Sequence, residues 1–107
     1  MKKFGLVLLI AAAVSGEVAA ASFATGNKLL KDCQSTDVVE QTYCFGYIAG
    51  IVDALDDQRR ACLPNKGVTI GQVSDIVVQW LQANPKDRHY AAAGLIAAAI
   101  AKAFPCR

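Results

Sequence analysis

The chain has 107 residues, with 11 basic and 9 acidic side chains, a single histidine and a formal net charge of +2 at pH 7. So even a balance supplies no basic field for a phosphate backbone or an anionic membrane surface, and nucleic acid is not an expected partner. Four cysteines in so short a chain point instead to a small domain held by disulfides.

The first residues, Met1-Lys2-Lys3, precede an uncharged run from Phe4 to Val14 and then the small residues that lead to Ala21. This is the layout of a secretory signal peptide, because a run of about 11 apolar residues is far short of the roughly 20 that span a bilayer as a helix. Ala19 and Ala21 form the A-x-A pattern of a cleavage site, so residues 1–21 are expected to be removed. Residues 22–107 would remain as one mature domain of about 86 residues with no membrane anchor. Losing Lys2, Lys3 and Glu17 brings the net charge close to +1. A core of this size alone gives only marginal stability, and two bridges at about 2–4 kcal/mol each would offset the deficit. No C-x2-C pair suggests zinc, and thiols of an exported chain oxidise, so no metal or other cofactor is expected.

Spacings of three and four between apolar residues predict an all-α fold, a compact four-helix bundle. The first helix is expected over about Asn27 to Cys33, with Leu29, Leu30 and Cys33 inward. The second starts at Asp37 as N-cap, with Glu40 placed for a capping box, and runs to about Arg59. Cys44, Ile48, Ile51 and Leu55 form its stripe, widened by Tyr47 and Val52. Gly46 and Gly50, four apart, each lower helix propensity by about 1 kcal/mol, a cost that close packing of a neighbouring helix would offset. The stretch from Ala61 to Gly67 reads as a loop.

Thr69 and Gln72 have the spacing of a capping box for the third helix, and Val68 and Val73 that of a hydrophobic staple. Val73, Ile76, Val77, Trp80 and Leu81 make its apolar face, with Trp80 in the core rather than presented as a ligand platform. Asn84-Pro85 is expected to end that helix and to start the fourth, Asn84 as N-cap and Asp87 at N3. From Tyr90 to Phe104 the alanine-rich fourth helix is apolar on most of its circumference and so belongs at the centre of the bundle.

Helical geometry limits the bridges. With 1.5 Å of rise per residue, Cys44 and Cys62 are held roughly 20 Å apart by the second helix, beyond the reach of a disulfide. Two of three connectivities remain, and a bundle with short loops favours Cys33–Cys44 with Cys62–Cys106.

No catalytic constellation stands out. His89 is the only histidine, and a cysteine–histidine dyad would need a thiolate that the bridges consume. Asp53, Asp56 and Asp57 read as the solvated side of the second helix, although Asp53 follows an apolar stretch and is a candidate for partial burial with Arg88 or His89 as partner. Two exposed segments are candidates for contact with a partner: Leu63, Asn65 and Lys66 in the loop, and Lys86, Arg88 and His89 in the turn.

The order of Phe23-Ala24-Thr25-Gly26-Asn27, Cys44-Phe45-Gly46-Tyr47-Ile48-Ala49-Gly50, Cys62-Leu63-Pro64, Val68-Thr69, Gly71-Gln72, Asn84-Pro85, Arg88-His89 and Phe104-Pro105-Cys106 resembles the small periplasmic immunity proteins that protect bacteria from type VI secretion amidase effectors. The resemblance covers essentially the whole mature chain. It implies a disulfide-bonded helical protein, often a homodimer, that catalyses nothing and binds a papain-like cell-wall amidase so as to block its active-site cleft. The motif residues look structural, so no contact residue is carried over from the family. Two other classes fit the same scaffold: a periplasmic chaperone of the acid-stress type, and a structural helical module without an effector. The matched numbers of acidic and basic residues give no sign of the acid switch that such a chaperone needs.

Overall fold

The computed structural model describes residues 23–107, and the expected signal peptide lies outside them. Four helices make up the described fold: α1 (Gly26–Cys33), α2 (Val38–Asp57), α3 (Ile70–Ala83) and α4 (Ala92–Ala103). Each touches the other three, and no strand is present among the described residues.

The caps explain the boundaries. Thr25 is extended and its hydroxyl accepts from Lys28 N at 3.2 Å, which opens α1. Leu29 and Leu30 are buried as expected, and so is Asp32, whose carboxylate reaches back one turn to Lys28 Nζ at 2.5 Å. Asp37 caps α2 by accepting from Val39 N at 3.2 Å. The expected reciprocal arm from Glu40 is replaced, because Asp37 N donates to Ser35 Oγ at 3.0 Å. Cys44, Ile48, Val52 and Leu55 form the buried stripe of α2, with Tyr47 and Ile51 at its margin.

α2 stops at Asp57, short of Arg59. Arg59 takes the left-handed conformation at φ 57°, while Arg60 N donates to Leu55 O at 2.8 Å and Arg59 N to Asp56 O at 3.1 Å. This is a Schellman closure with arginine in the place glycine usually fills.

The expected role of the glycines is overturned. Gly46 and Gly50 are exposed, and a Cβ added to either would meet nothing within 4 Å. Each lies two residues after a buried position, Cys44 and Ile48, and two residues are about 200° around a helix, so both glycines face away from the bundle.

Thr69 and Gln72 complete the capping box of α3 in both directions, at 3.1 and 2.9 Å. Val73, Val77 and Leu81 are buried, with Ile76 and Trp80 partly so. The start of the fourth helix differs from expectation. Asn84 caps nothing after it: its side-chain amide donates back to Trp80 O at 2.8 Å and so closes α3. Pro85–Asp87 is one separate 3-10 turn, and α4 starts only at Ala92, with no side-chain cap. The backbone in between is engaged elsewhere. Tyr90 O accepts from Gly26 N at 3.0 Å, Arg88 O from Asn27 N at 2.8 Å, and Ala92 N donates to Ala24 O at 2.8 Å.

Ala92, Leu95, Ile96, Ala99 and Ile100 are buried, which puts α4 in the centre. The bridges are Cys33–Cys44 and Cys62–Cys106, each with 5.0 Å between Cα atoms. Cys62 N also donates to Phe104 O at 2.8 Å, so the loop after α2 is tied to the chain end by backbone as well as sulfur.

Candidate partner-binding surface

The loop and the turn singled out in the sequence are anchored separately, the loop to the C-terminal segment and the turn to the start of α1. In the loop, Asn65 and Lys66 are exposed, whereas Leu63 is partly buried against the core. Leu63 N donates to Asp56 Oδ1 at 3.0 Å, so this carboxylate is spent on holding the loop. In the turn, Lys86 is exposed and pairs with Asp87 at 3.0 Å. His89 is exposed and lies against Tyr90, with 4.2 Å between ring centroids. Arg88 is half-buried: its carbonyl receives Asn27 N, and its Nε is enclosed with no hydrogen-bond partner. Arg88 thus belongs to the scaffold as much as to the surface.

Asp53 is exposed, as expected for the solvated side of α2, and the alternative of partial burial with Arg88 or His89 is not found: it forms no ion pair among the described residues. Its place on α2, one turn past Ala49 and beside Val52, puts it instead on the wall of a cavity of about 160 Å³ between α2 and the segment entering α3.

The fold adds a second feature. Lys28 Nζ lies 5.1 Å from the centre of the Tyr43 ring, and Tyr43 is 5.6 Å from Tyr47. The hydrogen bond to Asp32 raises the Lys28 pKa from its ordinary value, against the opposing effect of desolvation and with help from the charges of Asp32, Tyr43 and Glu40. Burial pushes the Tyr47 hydroxyl up, and Tyr43 adds to it. The available signal was the four-residue spacing of Lys28 with Asp32 and of Tyr43 with Tyr47, which puts each pair on one helix face. Tyr43 is one of several large apolar residues that α2 exposes, together with Val38, Val39 and Phe45. Such side chains suit protein contact better than catalysis. Among the described residues, no three His, Cys, Asp or Glu side chains converge as metal ligands, and all four cysteines are bridged.

A family model of the Rap1a immunity proteins matches residues 25–106. The chain belongs to this family. The match runs from the cap of α1 at Thr25 to the second cysteine of the longer bridge, so it takes in all four helices and both disulfides. No curated protein matches the chain. In this member of the Rap1a immunity family the buried residues, caps and bridges make the scaffold, and much of the loop, the turn and the outer side of α2 is exposed.

Proposed function

We propose that the protein is a periplasmic immunity protein that binds a type VI secretion effector, a peptidoglycan amidase, and inhibits it by occluding the active-site cleft. The family match over residues 25–106 carries this reading. Two bridges suit an oxidising compartment, and no helix of the described residues is long and apolar enough to cross a membrane. A scaffold closed at two points lowers the ordering cost of presenting a loop to a cleft. Leu63, Asn65 and Lys66, with Lys86, Arg88 and His89, are the proposed contacts, and a second copy of the chain is a further proposed partner.

The test is to mix the oxidised protein with a candidate amidase and to measure complex formation, stoichiometry and residual peptidoglycan cleavage. A stable complex with cleavage suppressed at equimolar protein supports the proposal. Absence of binding to any amidase encoded beside it would refute the immunity role.

A further inference from the structure

The cavity between α2 and the segment entering α3 combines apolar walls with a carboxylate that has no partner among the described residues. Val52, Leu63, Val68, Ile70 and Val73 supply the walls, and Asp53 is the charged residue of the lining. The other polar groups at hand are already engaged: Thr69 Oγ accepts from Gln72 N, and the Asp56 carboxylate accepts from Leu63 N. The Asp53 carboxylate has no hydrogen bond or ion pair among the described residues. Asp57 follows it by one turn on the same side of α2, so the negative potential extends beyond the rim. Gly50, three residues earlier, is exposed with nothing within 4 Å of a would-be Cβ, which leaves the approach open. The walls are also fixed in advance. Leu63 follows the bridged Cys62, and Val68 precedes the completed capping box.

These features select an occupant by chemistry. A purely apolar group would strip water from Asp53 and give nothing back, and an anion would be repelled. A lysine or arginine satisfies both parts, because its methylene stem lies on apolar surface while its charged head stays at the rim. A cavity of about 160 Å³ is large enough for such a stem, since about 150 Å³ accommodates a benzene ring. We propose that this cavity is a socket for a lysine or arginine side chain projecting from the protein partner, with its head on Asp53. The inference deepens the effector-binding reading and rests on it for the source of that side chain, but the socket can be tested without an effector.

The first experiment titrates the oxidised protein with n-butylammonium and n-butylguanidinium, with n-butanol and butyrate as matched neutral and anionic probes, and follows backbone amide shifts by NMR. The cations are expected to shift Val52, Asp53, Leu63, Ile70 and Val73 together, and to bind more tightly than the alcohol. Asp53→Asn should weaken the cations about fivefold, the equivalent of about 1 kcal/mol for a partly solvated ion pair, and leave the alcohol unchanged. Equal binding of butanol and butylammonium overturns the proposal, and so do cation shifts confined to Asp56 and Asp57. The second experiment compares an effector's affinity for the wild type and for Asp53→Lys, whose fold is verified by its helical circular dichroism. A loss of tenfold or more supports the socket, and unchanged affinity refutes it while leaving the immunity role intact. If no effector binds the wild type, the immunity role fails and the probe titration alone decides the socket.

Discussion

Gly26 and Arg88 meet backbone to backbone: a Cβ on Gly26 would stand 2.9 Å from the Arg88 carbonyl oxygen and 2.5 Å from Leu95 Cδ1. The same carbonyl receives Asn27 N at 2.8 Å, so the start of α1 and the turn before α4 are held at a separation that only glycine permits.

Gly26→Ala should therefore destabilise the fold by about 1–3 kcal/mol, because Leu95 can rotate away but the Arg88 backbone cannot yield without losing its hydrogen bond. Chemical denaturation measures the loss. Hydrogen exchange should show Asn27 and Ala92 opening first.

Gly46→Ala and Gly50→Ala should act in the opposite direction, each stabilising by about 0.5–1 kcal/mol, since both sites are exposed helix interior with open space around the new methyl. A cost on thermal unfolding of either variant as a monomer would show that another element of the chain packs there.

Arg59→Gly should also stabilise, by up to about 1 kcal/mol, because glycine takes the left-handed conformation without the steric penalty arginine carries at φ 57°. Denaturant unfolding checks it. Lys31, in the middle of the last turn of α1, offers a control position where the same change to glycine is expected to destabilise.

The two bridges should differ in worth. Cys62–Cys106 closes a separation of 44 residues and Cys33–Cys44 one of 11. On chain entropy alone their removal costs about 4 and about 3 kcal/mol respectively. Paired Cys→Ser variants, compared by denaturant midpoints, should rank in that order.

Alkaline pH should weaken the fold. Lys28 and Tyr47 both have folded pKa values raised above their ordinary 10.5 and 10.0, so each favours the native state in its protonated form. The stabilisation is complete below those ordinary values and is lost as pH rises through the folded ones. Lys28→Met and Tyr47→Phe should each flatten the decline, and phenolate absorbance should show one tyrosine ionising late.

What the sequence made legible was local or rigid. Thr69 and Gln72 are three residues apart and their bonds need nothing from elsewhere, so their cap is found as expected. The length of α2 excludes Cys44–Cys62, and short loops in a bundle favour the pairing found over the one other that remains. Positions decided by tertiary partners are not legible in this way. Asn84 has every attribute of an N-cap, but its amide is used on Trp80 O, and the backbone after it is claimed by the strand-like pairing of Thr25 with Ala91. Gly46 and Gly50 carry a spacing that does not say which face they occupy. Asp53 is on the solvated side with Asp56 and Asp57, as their spacing predicts, and the apolar residues before it do not bury it against Arg88 or His89. Of the candidate contacts, Asn65, Lys66, Lys86 and His89 are exposed, while Leu63 and Arg88 are partly built into the scaffold, a division that depends on long-range packing.

α2 also has a consequence for how oxidation is sorted. Once wound, it acts as a spacer bar that separates Cys44 from the cysteine next along the chain, so an encounter open to a floppy polypeptide becomes unproductive. Cys33 is left as the near neighbour of Cys44, and Cys62 must wait for the last cysteine. Mispaired isomers should then accumulate only when helix formation lags behind the oxidant.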